Sequence, residues 1–208
     1  MLFVVYPGMV MLTIERRQNI RDVMGIAWFV VAVVIGAWLI NALVFRSFSV
    51  TGPSMESTMY TGDRLIVNRL PMTWNALQGK PYMPSRGHVI VFRNPKFEQM
   101  QADEFVVKRV IGLPGEEVEV SGGKVTVYNS DHPEGFDPYE GVEIYSSIVT
   151  GEVSRQRVPE GQIFVIGDNR GGNESLDSRN GLGLVPLDNI VGPVSLRIYP
   201  FNKVSTNF

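Results

Sequence analysis

The sequence predicts a mostly β protein behind one N-terminal membrane-spanning helix. Three observations predict it. The stretch from Gly25 to Phe45 contains no charged residue. Beyond Arg46, apolar and polar residues alternate in short runs. The chain also holds 21 glycines and 13 prolines, a supply of turns that suits many short strands better than long helices.

The apolar stretch reads GIAWFVVAVVIGAWLINALVF, with Asn41 as its one strongly polar member. As a helix its ~21 residues would extend about 31 Å, the thickness of a bilayer core. Arg16, Arg17 and Arg21 precede it and only Arg46 follows closely. Basic residues concentrate on the cytoplasmic side of a span. The expected order is therefore a cytoplasmic segment 1–24, a transmembrane helix 25–45 and an extracytoplasmic β-rich domain 46–208. Residues 1–12 are apolar, too short to span, and interrupted by Pro7-Gly8.

Within the outer domain, strands are expected at Ser47–Val50, Arg64–Arg69, His88–Arg93, Glu104–Ile111, Glu117–Val120, Lys124–Tyr128, Gln162–Ile166 and Ile190–Tyr199. Gly122-Gly123 between two alternating runs reads as a hairpin turn. Short spacing favours a barrel or sandwich of antiparallel strands over a parallel sheet. Residues 70–86, with three prolines and Trp74, read as a loop that could touch the membrane. Residues 129–157 are polar and read as a small inserted cap, with weak strands near Glu143–Val149 and Glu152–Val158.

Composition excludes several chemistries. The 208-residue chain has no cysteine, which removes thiol catalysis, disulfides and thiolate metal sites. Lys and Arg are scattered among carboxylates at a net charge of -2, so no nucleic-acid partner is indicated. Neither histidine, His88 or His132, sits in a metal-binding spacing. No metal or other cofactor is expected.

Two residues suggest chemistry when taken together. Ser54 follows a Gly-Pro pair just beyond the span; alone, it would be an ordinary turn residue. Lys108 interrupts the otherwise apolar run Phe105-Val106-Val107-Lys108-Arg109-Val110-Ile111 next to a second cation. Strand geometry sends Val107 and Lys108 to opposite faces. A solvated lysine on an edge strand is the common case. The alternative is a desolvated lysine acting as a base. At an ordinary pKa of ~10.4 roughly one lysine in 2,500 is neutral at pH 7, and burial in apolar surroundings raises that fraction. Serine–lysine dyads are a variant of serine–histidine catalysis. A Ser-His-Asp arrangement with His88 or His132 has no recognisable triad context.

Four stretches, in order, carry a family resemblance: Gly52-Pro53-Ser54-Met55; Gly62-Asp63-Arg64-Leu65-Ile66-Val67-Asn68-Arg69; Lys108-Arg109-Val110-Ile111-Gly112-Leu113-Pro114-Gly115-Glu116; and Gly167-Asp168-Asn169-Arg170 with Ser175-Leu176-Asp177-Ser178-Arg179. They resemble the successive boxes of type I signal peptidases. The resemblance implies an all-β catalytic domain of coiled antiparallel sheets. It implies a serine endopeptidase that removes signal peptides from exported preproteins after small residues, typically Ala-x-Ala. Ser54 is then the nucleophile, Lys108 the general base, and Ser175 the serine whose hydroxyl supports the lysine ammonium. Asp177 and Arg179 form a structural ion pair, and Asp168 and Arg170 brace the same loop. Phe48, Val50, Gly52, Met55, Met59, Leu65, Val91, Val106 and Val107 line the substrate subsites. The partners implied are preprotein signal peptides, the lipid bilayer of the cell membrane and the neighbourhood of the secretion translocon.

The chain departs from the family pattern in four places. Gly52 stands where some members have a serine that donates to the oxyanion. Ser57 replaces a usual proline, His88 a usual aspartate, and the loop 171–174 is longer than in many members. Two other readings remain open at this point: a related Ser–Lys peptidase maturing conjugation or pilin-type substrates, and an inactive membrane-anchored β domain that binds peptides.

Overall fold

The structure is a computed structural model describing residues 7–100, 103–140, 149–171 and 175–208. It divides into two units, Met1–Ala42 and Leu43–Phe208. The first is the body of helix α1 (Pro7–Leu43). Pro7 opens it, as proline does well in a first turn, where its missing N–H costs nothing. The window Arg21–Leu43 has a mean hydropathy of 2.5 and is not buried against anything. By length and composition this helix is long and apolar enough to cross a membrane. The helix ends at Leu43, short of the expected Phe45. Val44 O accepts a hydrogen bond from Arg69 N–H, and Phe45 already pairs with Asn68. The first half of the N-terminal apolar stretch, residues 1–6, lies outside the described residues.

The second unit is the β domain. Its strands are β1 (Phe45–Ser49), β2 (Arg64–Asn68), β3 (Val89–Arg93), β4 (Phe105–Gly112), β5 (Glu117–Ser121), β6 (Lys124–Tyr128), β7 (Val153–Arg157), β8 (Gln162–Ile166), β9 (Val185–Pro186) and β10 (Ile190–Tyr199). Seven form one sheet in the order β1-β2-β10-β3-β4-β8-β9, and three form a second, β6-β5-β7. Every pairing among the described strands is antiparallel. Irregularities in the β10 register against both β2 and β3 bend the large sheet. The fold class is as the sequence predicts.

Alternation explains the core. In β5 and β6, Val118, Val120, Val125 and Val127 point inward and their neighbours outward, giving a half-buried sheet. β3 and β8 are buried on both faces and read as continuous apolar runs. A third cluster, with Val50, Met55, Met59, Leu65 and Val89, lies beneath the loop that carries Ser54.

One sequence reading changes. Residues 70–86 are not loop throughout: Leu70–Leu77 is helix α2, with Pro71 in its first turn and Asn68 Oδ1 accepting from Leu70 N–H. A proline at a helix start is not a breaker. Of the cap 129–157, β7 occupies the second expected strand, while most of the first, residues 141–148, lies outside the described residues.

Candidate active site

Ser54 sits in the loop between β1 and β2. Hydrogen bonds from Val50 N to Asp63 O and from Gly62 N to Val50 O close the loop's base. Glu56 N to Pro53 O and Met59 N to Met55 O coil its middle. Met55 and Met59 are fully buried in the third core cluster and do not line the cleft. Their long flexible side chains fill the space beneath the loop. They hold Ser54 in place from below and are not cleft walls, which corrects the subsite expectation for both.

Lys108 comes from β4 and is only 2% exposed. Its Nζ donates to Ser54 Oγ at 2.6 Å. Burial pushes its pKa down to about 8; Asp177 and Asp168 oppose the shift, and Arg179 adds to it. At that value roughly one lysine in ten is neutral at pH 7, about 200 times the fraction of a free lysine. An amine in this condition can accept a proton from the hydroxyl it touches.

A cleft of about 440 Å³ opens at the dyad. One wall is the continuous stretch Phe48 to Ser54, the other Asp103 to Lys108, with Leu65, Val91 and Leu176 also contributing. Phe48, Val50, Gly52, Leu65, Val91, Val106 and Val107 all line this cleft. Backbone pairing adds a second property. Among the described residues, β1 pairs with β2 alone. β4 pairs with β3 over Phe105–Arg109, but with β8 only from Arg109 onward. The β1 edge and the first half of β4 therefore keep free main-chain groups toward the cleft, an arrangement suited to an added strand.

The shell around the dyad is built from the loop after β8. Asp177 pairs with Arg179 through 3.0 and 2.7 Å contacts, with both side chains buried. Ser175 is fully buried, and its hydroxyl donates to Asp177 Oδ2 at 2.7 Å. It makes no hydrogen bond to Lys108, contrary to expectation. Its proton goes to the ionised Asp177 carboxylate, a charge-assisted bond that holds Ser175 against the Asp177–Arg179 pair. Asp168 does not pair with Arg170. It receives Arg109 Nε at 2.8 Å and Nη2 at 2.6 Å, a bidentate pair 1% exposed on each side. Arg170 stacks on Tyr139 instead, 3.5 Å from the ring centroid.

Arg109, Thr58, Asn169 and Gly167 belong to the site's support and escaped the sequence reading. Thr58 Oγ1 donates to Asp168 Oδ2 at 2.6 Å, and Asn169 N–H to Ser54 O at 3.1 Å. A Cβ on Gly167 would fall 2.3 Å from Ser175 Oγ and 2.4 Å from Ser54 O, so only glycine lets the two loops approach this closely. The available signal was the second charge in β4: two adjacent cations in an apolar strand need two buried acceptors. His88 is exposed at the start of β3, and His132 lies beside Glu134 with its ring against Phe136. Neither lines the cleft. No group of metal-binding side chains occurs among the described residues.

Known proteins similar to this chain come from one family. The family model "Signal peptidase, peptidase S26" matches residues 23–199. Signal peptidase I P of Bacillus subtilis subsp. natto is 33% identical over 178 residues, covering 84% of this chain and 88% of that protein. Signal peptidase IB of Staphylococcus aureus is 30% identical over 191 residues, covering 86% and 88%. The crystal structure of a signal peptidase I from Enterococcus faecalis aligns with a TM-score of 0.36 at 28% identity, covering 53% of this chain and 95% of that one. A match of this extent, reaching from the apolar helix to the end of β10, makes the chain a member of the signal peptidase family, peptidase S26, and a serine peptidase.

Proposed function

We propose that this chain is a membrane-anchored signal peptidase I that cuts preproteins after small residues by Ser54–Lys108 acyl-enzyme chemistry. The observation that carries the reading is the 2.6 Å contact between Lys108 Nζ and Ser54 Oγ at the end of a cleft with two free strand edges. Neutral Lys108 takes the Ser54 proton as Oγ bonds to the scissile carbonyl carbon. The tetrahedral oxyanion collapses, the C–N bond breaks, and the leaving amine takes the proton from the Lys108 ammonium. Water then loses a proton to Lys108 and attacks the acyl carbon, and Oγ departs with that proton. Ser54 N–H donates to nothing among the described residues and is a candidate oxyanion donor. Gly52 supplies no hydroxyl for that purpose. Ser175, Asp177 and Arg179 act one layer back, fixing the charges that Lys108 feels.

β-Branched and leucine side chains in the cleft favour short apolar groups on the substrate, in keeping with an Ala-x-Ala preference. The basic flank before α1 supports a cytoplasmic N-terminus and an outer catalytic domain. There the enzyme would meet signal peptides as they leave the translocon, already embedded in the same bilayer. The test is cleavage of a preprotein with an Ala-x-Ala end by the full chain in detergent. Ser54→Ala and Lys108→Ala should each abolish it, as should Lys108→Arg, because a guanidinium does not surrender its proton. Cleavage by either alanine variant would refute the dyad.

A further inference from the structure

The surface of the β domain carries an apolar helix that catalysis does not explain. α2 reads LPMTWNAL and has no charged residue. Leu70, Trp74 and Leu77 recur at the spacing of one helix face and are 47%, 65% and 79% exposed. The opposite side is fastened to the body. Met72 packs against the main core cluster. It lies beside Gly192 of β10, where a Cβ would come within 2.8 Å of the methionine's Cε. Exposed leucines and a tryptophan gathered on one uncharged helix are costly in water.

The place of α2 in the chain identifies what covers this face. Thr73 Oγ1 donates to Leu43 O at 2.8 Å, and Arg69 N–H donates to Val44 O at 2.8 Å. Leu43 is the last residue of the apolar span. Asn68, just before α2, pairs with Phe45, which is itself exposed, as is Leu43. The exposed apolar side chains thus gather where the chain leaves its span. A span's end lies at the boundary between hydrocarbon and headgroups, where tryptophan is favoured.

We infer that α2 is an interfacial helix whose Leu70–Trp74–Leu77 face is seated in the outer headgroup region of the bilayer, fixing the height of the catalytic cleft above it. The partner is a lipid surface. The inference rests on the membrane-anchored reading above and adds a second attachment to it. Phe48, the first residue of the cleft wall, lies only three positions beyond Phe45 along β1, about 10 Å of strand. A rigid seat at one end of β1 therefore sets where a membrane-embedded peptide must emerge to be cut.

The chain's three tryptophans are Trp28, Trp38 and Trp74, so Trp28→Phe with Trp38→Phe leaves Trp74 as a single reporter. This full chain is reconstituted in phosphatidylcholine vesicles and floated on a density gradient. Trp74 should be quenched more by lipids brominated high on the acyl chain than by lipids brominated near its end. It should also be shielded from aqueous iodide. A floating protein whose Trp74 is quenched by iodide and not by bromolipid overturns the interfacial helix and leaves the anchor standing. A protein that does not float overturns both. Shielding that vanishes as lipid is raised over protein points to a second copy as the occupant, and overturns the lipid assignment. Trp74→Ser with Leu77→Ser should raise KM several-fold for a preprotein in vesicles and leave kcat/KM for a short water-soluble peptide unchanged. Equal losses on both substrates would mark α2 as merely structural.

Discussion

Thr58 Oγ1 donates to Asp168 Oδ2 at 2.6 Å, and that same carboxylate holds Arg109, the residue next to Lys108. The loop bearing Ser54 and the strand bearing Lys108 are therefore tied through one buried ion pair. A second tie runs from Arg197 Nη1 to Thr58 O at 2.8 Å. Thr58→Val keeps the shape and removes the first tie. A hydrogen bond to a charged group contributes about 1.5–3 kcal/mol. The variant should lose stability of that order by denaturant titration. Its kcat should fall more than its KM rises, because the loss acts on the Ser54–Lys108 distance and not on the cleft walls.

Lys108 should govern the pH profile. Its pKa is near 8, so kcat/KM should rise with pH and level off above that value. Of the two carboxylates that raise the pKa, Asp177 acts the more strongly. Asp177→Asn should move the profile toward acid, alongside a destabilisation of about 3–5 kcal/mol from leaving Arg179 unpaired. Kinetics between pH 6 and pH 10 would decide it. A profile that is unchanged, or shifted toward alkali, would contradict the electrostatic role.

The same lysine should cost the folded state stability. Its folded pKa lies below the unfolded value, so between about 8 and 10.5 the unfolded chain binds more protons. Stability from this group therefore rises as pH rises through that window, and the full penalty is present below about pH 8. Lys108→Met removes the buried amine. The variant should be inactive yet melt higher than wild type at pH 7, with the gap narrowing toward pH 10. Matched thermal melts at the two pH values measure this directly.

Gly167→Ala should inactivate the enzyme without unfolding it. The new methyl group meets Ser54 O and Ser175 Oγ. Moving aside would shift either the Ser54 main chain or the buried Ser175, which is held to Asp177 beside Lys108. Cleavage should fall by at least about 100-fold if Ser54 is displaced by an ångström. Far-ultraviolet circular dichroism should stay unchanged.

The parts of this site that follow from local chain geometry were legible in the sequence. Alternation in β4 separated Lys108 from Val107, and the Gly-Pro pair placed Ser54 on a turn. The charge pairing was not legible. Arg109 and Arg170 stand at equal sequence-level claim to Asp168, and only the approach of β4 to the loop after β8 chooses Arg109. The family resemblance links Ser175 to Lys108, but in the structure the Ser175 hydroxyl donates to Asp177, and its contact with an ammonium could only be as acceptor. The family resemblance places Met55 and Met59 along the subsites; in the structure the coil of the loop turns them into the core cluster beneath it. α2 was hidden by the prolines of 70–86: Pro71 opens the helix, where a proline is tolerated, and Pro81 and Pro84 lie beyond its end.

The two free strand edges that frame the cleft have a consequence for turnover. Main-chain hydrogen bonds do not depend on whether the bound strand is whole. Once the peptide bond is cut, the fragment ending in the new carboxylate keeps most of the pairing that the intact chain enjoyed. Cleavage alone therefore does little to eject it. Under the proposed cleavage, departure of the N-terminal fragment should compete with chemistry as the slow step, and the released fragment should inhibit its own formation.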